Sequence, residues 1–222
     1  NGWYRCIVSN NGSAQVANQV RIGIQNGALD SYIGDGTSGV YVFGAQAEQG
    51  SYATSYIPSL SGSTTTRLAD VCNNSGSAQD FNSDEGVLYF EGSALADDGT
   101  YRLMSISDGS ASNRITLGYN SYGGNLLLVQ VSSSGVSQVN FTYSISDITL
   151  YNKIALLYKS NEVTIWVNGV KGTSDTFASM PIGLSEFNFN YTDALPLYGK
   201  VKDLQVFTEA LTDEQLAALT TI

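Results

Sequence analysis

Twenty carboxylates and not one histidine set the chemistry open to this 222-residue chain. Losing imidazole removes the commonest general base, the serine and cysteine triads and most zinc sites together. Carboxylate acid–base work and oxygen-ligand metals such as calcium remain. Asp97-Asp98-Gly99 would place two carboxylates on one turn, where calcium is the cofactor they would take. The same three residues also make an ordinary solvated turn. Asp97 and Asp98 are therefore the candidate metal ligands, with Asp108 and Asp175 as further ones if the fold brings them together.

Trp166 lies between Ile165 and Val167, so it faces away from a core that takes those two. An outward indole offers an apolar face suited to the C–H face of a pyranose ring. The alternative is packing under a crossing loop. Tyr119-Asn120-Ser121-Tyr122-Gly123-Gly124 gathers two aromatics and several hydrogen-bonding groups in a turn. Trp166, Tyr119, Asn120 and Tyr122 are the candidate carbohydrate contacts. Cys6 and Cys72 match no metal spacing and are expected to be unbridged.

These residues need elements to hold them, and composition says which kind. Hydrophobic residues make up 42% and charged residues 14%, with 23 glycines, 3 prolines and 14 tyrosines. That profile suits strands joined by tight turns and excludes compositional disorder. The net charge of −10 and the absence of any basic run exclude nucleic-acid binding and disfavour anionic membranes. No apolar stretch approaches the ~20 residues of a membrane-spanning helix, so membrane insertion is not expected.

Strand-like runs occupy residues 3–8, 20–24 and 40–45, too few to supply a facing layer of their own. Residues 59–79 shift to Ser, Thr, Gly and Asn, a linker composition. Runs at 86–94, 101–107, 114–119, 126–131, 136–143, 153–159, 162–168, 186–191 and 198–207 then follow at short intervals. Such spacing predicts an antiparallel two-sheet sandwich. Ile154, Leu156, Val163, Ile165, Val167 and Val206 alternate into its core. Thr212 and Gln215 form a capping box, with Leu211 and Leu216 as a hydrophobic staple, which predicts one short helix over residues 213–219.

Two stretches resemble known families. Residues 154–159 and 163–169, then 198–207 and 210–216, resemble the laminin-G-like, concanavalin A-like lectin superfamily. Gly2-Trp3-Tyr4-Arg5, residues 34–46, Ser55-Tyr56-Ile57-Pro58 and residues 66–71 look like the end of a carbohydrate-binding-like jelly roll found in bacteriophage virion proteins. The fold expected is thus all-β: a concanavalin A-like jelly-roll sandwich over residues 80–222 with one short C-terminal helix. Residues 59–79 form the expected linker, and residues 1–58 a partial N-terminal β-sandwich segment. The resemblance implies a virion surface appendage, a tail or head fibre, that touches cell-surface polysaccharide and other virion proteins. It also implies a homo-oligomer, with a trimer the favoured form; a secreted bacterial lectin domain is the alternative setting.

Catalysis is not expected, with a polysaccharide-degrading enzyme, a lyase or hydrolase with a non-standard carboxylate or tyrosine site, as the competing reading. Glycosidases of the concanavalin A-like fold carry Glu-x-Asp-x-Glu on one strand, because only i, i+2 and i+4 share a face. No such triplet occurs; Asp84-Glu85 are adjacent and Asp213-Glu214 open the helix.

Overall fold

The computed structural model describes residues 2–8, 33–48, 53–59, 64–66, 71–120, 122–176, 179–191 and 194–222. The chain divides into two compact units, residues 1–69 and 70–222. No helix among the described residues is long and apolar enough to cross a membrane.

The second unit is an all-β sandwich. Among the described residues its ten strands are β1 (Glu85–Ala94), β2 (Arg102–Ser107), β3 (Arg114–Tyr119), β4 (Leu126–Ser133), β5 (Val136–Ser144), β6 (Asn152–Lys159), β7 (Glu162–Val167), β8 (Val170–Asp175), β9 (Glu186–Asn188) and β10 (Gly199–Phe207). They form two five-stranded sheets, ordered β10-β1-β6-β7-β8 and β5-β4-β3-β2-β9. Every pairing is antiparallel. Between the sheets lies one apolar layer. Leu88, Phe90, Ile154, Leu156, Val163 and Ile165 come from the first sheet, and Met104, Ile106, Ile115, Leu117, Leu127 and Val129 from the second. Each such side chain contributes about 1.5–3 kcal/mol by leaving water. Ile154, Leu156, Val163, Ile165 and Val167 are buried as their alternation predicts, and Val206 packs half-buried against them.

The first sheet is covered on both faces. Helix α1 (Asp213–Thr220) starts at Thr212, whose Oγ1 accepts from Gln215 N while Gln215 Oε1 accepts from Thr212 N. Leu216 then inserts over Val87, Tyr89, Ala155, Leu157 and Trp166, a second apolar cluster on the outer face. This explains the unbroken Ile154-Ala155-Leu156-Leu157-Tyr158 run in β6, since a strand buried on both sides has no polar face to alternate with.

Strand β8 has no counterpart in the sequence reading. It is polar and largely exposed, so periodicity could not reveal it. Its true signal is Asn168-Gly169: φ is 52° and 81°, the two left-handed residues of a type I′ hairpin turn joining Val167 to Val170. Asn168 is held there by its side chain. Its Oδ1 accepts from Lys153 N at 2.9 Å and its Nδ2 donates to Asn152 Oδ1 at 2.8 Å, while Gly169 N donates to Thr220 Oγ1 at 3.1 Å.

The expected linker is only partly one. Ser75 and Phe187 exchange backbone bonds of 3.1 and 2.7 Å, and Phe189 N donates to Cys72 O, so residues 72–75 extend the second sheet beyond β9. Cys72 Sγ packs half-buried beside Ser75 Oγ at 3.1 Å, and both cysteines are free thiols.

In the first unit, no strand forms among the described residues. The runs at 3–8 and 40–45 carry no sheet pairing, and the run at 20–24 lies outside the described residues. Trp3, Val8, Tyr41 and Phe43 are exposed. Order comes instead from side-chain contacts. Asp35 Oδ1 accepts from Thr37 N and Ser38 N, Glu48 caps Thr54 N at 2.6 Å, and the Phe43 and Tyr56 rings meet at 5.7 Å.

Candidate functional site

The outer face of the second sheet is built differently from that of the first. With Ile106, Ile115, Val131 and Val139 turned inward, period-2 geometry turns their neighbours outward. Register then aligns those neighbours across all five strands. Asn188 pairs with Ser105, Ser105 with Thr116, Thr116 with Gln130, and Gln130 with Asn140. The result is an uncharged polar row running the width of the sheet. Beside it runs a second row, Leu103, Gly118, Leu128 and Thr142. A third, on the other flank, holds Glu186, Ser107, Arg114 and Ser132.

The chain after β9 folds back over this face. Asn190 O accepts from Ser105 Oγ at 2.8 Å, Leu195 O accepts from Leu103 N at 3.2 Å, and the Tyr191 ring lies 4.5 Å from the Arg114 guanidinium carbon. Arg114 is buried and also donates from Nη2 to Ser110 O at 2.8 Å. Between this segment and the sheet opens a pocket of about 210 Å³, lined by Tyr101, Leu103, Leu128, Gln130, Tyr191 and Leu195. Two aromatic rings, an aliphatic floor and one amide are what a sugar ring asks for: flat apolar contact and a donor–acceptor pair. Gly118 lies between Leu103 and Leu128 in their cross-strand row, and only hydrogen fits there. A Cβ at that position would sit 2.2 Å from Arg102 O and 2.8 Å from Leu103 Cα.

The sequence-predicted contacts lie elsewhere. Trp166 is 6% exposed and sits beneath α1, on the outer face of the other sheet. It fits there because its cross-strand neighbour is the small Ala155. The packing alternative is therefore the one realised, with the indole buried against Leu216 of α1. Tyr119 is wholly buried on the inner face with no hydrogen-bond partner for its hydroxyl, and burial raises its pKa well above the usual phenol value. Asn120 is buried too, its Oδ1 accepting from Tyr122 N at 3.3 Å. Tyr122 alone of the four is open, at 82% exposure, but it stands at the end of the sandwich, outside the lining of the pocket.

Asp97 and Asp98, the carboxylates of the calcium expectation, take other partners in this structure. Asp97 Oδ2 accepts from Gly124 N and Asn125 N, each at 3.2 Å, and so ties the β1–β2 connection to the β3–β4 turn. Asn125 passes the clasp on, with Oδ1 accepting from Ile148 N at 2.9 Å. Asp98 pairs with Arg102 at 2.8 Å, so a guanidinium stands where a cation would. Among the described residues no three acidic, cysteine or histidine side chains converge on a metal position.

The Asp98–Arg102 pair gives a pH signature. Hydrogen bonding from Arg102 holds the Asp98 carboxyl below its ordinary value. A lowered folded-state pKa adds stability that is complete above the unfolded carboxylate value of about 3.9 and is lost as pH falls through the folded value. Asp98 is 46% exposed, which limits the contribution to about 1 kcal/mol. Asp98→Asn is expected to lower the urea midpoint at pH 7 and to shrink the loss of stability between pH 7 and pH 3. A variant with the wild-type pH slope would contradict this account.

No protein-family model matches the chain, and no curated protein sequence does. Solved structures share its fold at low identity. The CBM40 module of the Ruminococcus gnavus IT-sialidase, bound to α2,3-sialyllactose, superposes with a TM-score of 0.52 at 14% identity, covering 69% of this chain and 96% of the module. The NanB sialidase of Streptococcus pneumoniae (K499G) gives 0.52 at 12%, over 65% of this chain but 25% of the enzyme. Domain 4 of AbnA, an extracellular GH43 arabinanase from Geobacillus stearothermophilus in complex with arabinotriose, gives 0.51 at 17%, over 66% and 70%. The chain thus has the jelly-roll β-sandwich fold found in these carbohydrate-binding and carbohydrate-active proteins.

Proposed function

We propose that the sandwich is a non-catalytic glycan-binding module whose site is the pocket on the outer face of the second sheet. One observation carries this reading: Tyr101, Tyr191 and Gln130 stand around an aliphatic floor flanked by a five-residue polar row. The sugar-bound CBM40 and AbnA domains, which share the fold, support it. Neither a histidine nor a Glu-x-Asp-x-Glu strand is present to do hydrolysis. The biological setting we infer is a phage surface appendage that recognises host polysaccharide, assembled with other virion proteins as a homo-oligomer. Its support is the resemblance carried by residues 2–5, 34–46, 55–58 and 66–71. A second setting, an accessory domain of a secreted bacterial protein, is favoured by the extracellular arabinanase among the similar structures.

The test is calorimetric titration with oligosaccharides of defined linkage. Tyr101→Ala and Gln130→Ala are each expected to weaken binding by about 1 kcal/mol, roughly fivefold, without shifting the melting temperature appreciably. Full affinity in both variants would move the site off this face. Release of new reducing ends by homogeneous protein would make the module an enzyme.

A further inference from the structure

We infer that the ligand of this pocket is a neutral oligosaccharide rather than an acidic one. The inference rests on the pocket being the glycan site, and goes beyond it by fixing the charge class of the sugar.

The argument begins with what the five strands lack. Between them β2, β3, β4, β5 and β9 carry three charged side chains, Arg102, Arg114 and Glu186, and no lysine. Arg102 points inward and is paired with Asp98. Arg114 and Glu186 share one row, either side of Ser107, and both are already engaged. The Arg114 guanidinium is buried against the Tyr191 ring and bonded to Ser110 O. Glu186 Oε1 accepts from Asn188 Nδ2 at 2.9 Å and Ser107 Oγ at 3.4 Å. Neither lines the pocket, and no charged residue does. The polar row beside it is amide and hydroxyl throughout.

A carboxylate brought into this pocket would lose water and meet no cation among the residues that line it, the Arg114 guanidinium lying against the Tyr191 ring outside that lining. Burying an ion without a partner is strongly unfavourable. The wider field adds to the effect, because the chain carries a net charge of −10 and repels polyanions at a distance. Neutral sugars face neither obstacle: their hydroxyls exchange water for Gln130 and the tyrosine hydroxyls, and their C–H faces rest on Tyr191, Leu103 and Leu128.

The experiment compares neutral arabino-, gluco-, galacto- and manno-oligosaccharides with galacturonate and sialylated oligosaccharides of equal length. Each is titrated into the 222-residue chain and into Gln130→Ala and Gln130→Lys. Ionic strength is varied from about 0.01 to 1 M, over which the screening length falls from about 30 to 3 Å. Expected is a neutral ligand whose affinity changes less than about twofold with salt, falls about fivefold in Gln130→Ala, and exceeds that of every acidic sugar by at least about tenfold at low salt. Gln130→Lys, which adds one cation to the wall, should narrow that gap. An acidic sugar that binds more tightly than any neutral one, and loses affinity in Gln130→Ala, would overturn the charge assignment while leaving the pocket as the site. Binding of either class that is indifferent to Gln130, or no binding of any sugar, would overturn the pocket and the charge assignment together.

Discussion

Gly118→Ala is expected to cost the sandwich about 3 kcal/mol, read as a fall in the urea midpoint and melting temperature. The added methyl group would meet Arg102 O at 2.2 Å and Leu103 Cα at 2.8 Å. Both are backbone atoms of β2, so no side-chain rotation can relieve the overlap. Nor can β3 slide away, since β4 holds its other edge. The ladder between β2 and β3 must open, and with it the floor of the pocket. Gly124→Ala supplies the comparison: its Cβ meets nothing within 4 Å, and the cost there is only the strain of a φ of +74°, about 1–2 kcal/mol. A Gly118→Ala protein as stable as wild type would show that the β2–β3 register is misassigned.

Trp166→Ala is expected to be more damaging still, about 3–5 kcal/mol, through the cavity left between sheet and helix. Leu216, Tyr89 and Leu157 would lose their shared neighbour, and α1 would lose much of what holds it down. The same variant separates two roles that the sequence left open. A sugar platform would lose ligand affinity with little change in stability. The packing of Trp166 predicts large destabilisation, and the proposed site on the other sheet predicts unchanged affinity in whatever protein remains folded. Fluorescence gives a direct check. Trp3, the other tryptophan, is 66% exposed, so removing Trp166 should leave only long-wavelength, solvent-exposed emission.

Most of the sandwich was legible because its strands declare themselves by alternation. β6 and β7 are the clearest case: Ile154, Leu156, Val163, Ile165 and Val167 place the core face, and Ser160-Asn161 marks the turn between them. The helix was legible from Thr212 and Gln215, whose reciprocal bonds are local and need no tertiary partner. What escaped was decided by distance along the chain. Trp166 could be assigned to an outward face, but not to a face covered by a helix some fifty residues later. The pocket escaped for the same reason. Ser105, Thr116, Gln130 and Asn140 each look like ordinary solvent-facing strand residues. Only cross-strand register makes them a row. Tyr191 closes the run read as a strand over 186–191, but β9 ends at Asn188 and Tyr191 lies beyond it, its ring against Arg114. The clasp from Asp97 through Asn125 to Ile148 joins three separate loops, so the backbone amides that Asp97 accepts from cannot be read from its local sequence.

The β7–β8 turn also bears on how the protein ages. Asn-Gly pairs are the sequences most prone to deamidation, because the glycine nitrogen is free to attack the asparagine amide carbon, expel ammonia and close a five-membered imide, which water then opens to aspartate or isoaspartate. In Asn168-Gly169 that attack is opposed from both ends. The amide is pinned by Lys153 N and Asn152, and the attacking nitrogen is committed to Thr220 Oγ1. The type I′ geometry that makes the pair a good hairpin turn thus also protects it while the fold is intact. Isoaspartate at residue 168 becomes a chemical record of local opening, accumulating as fast as the end of α1, which carries Thr220, lets go of the turn.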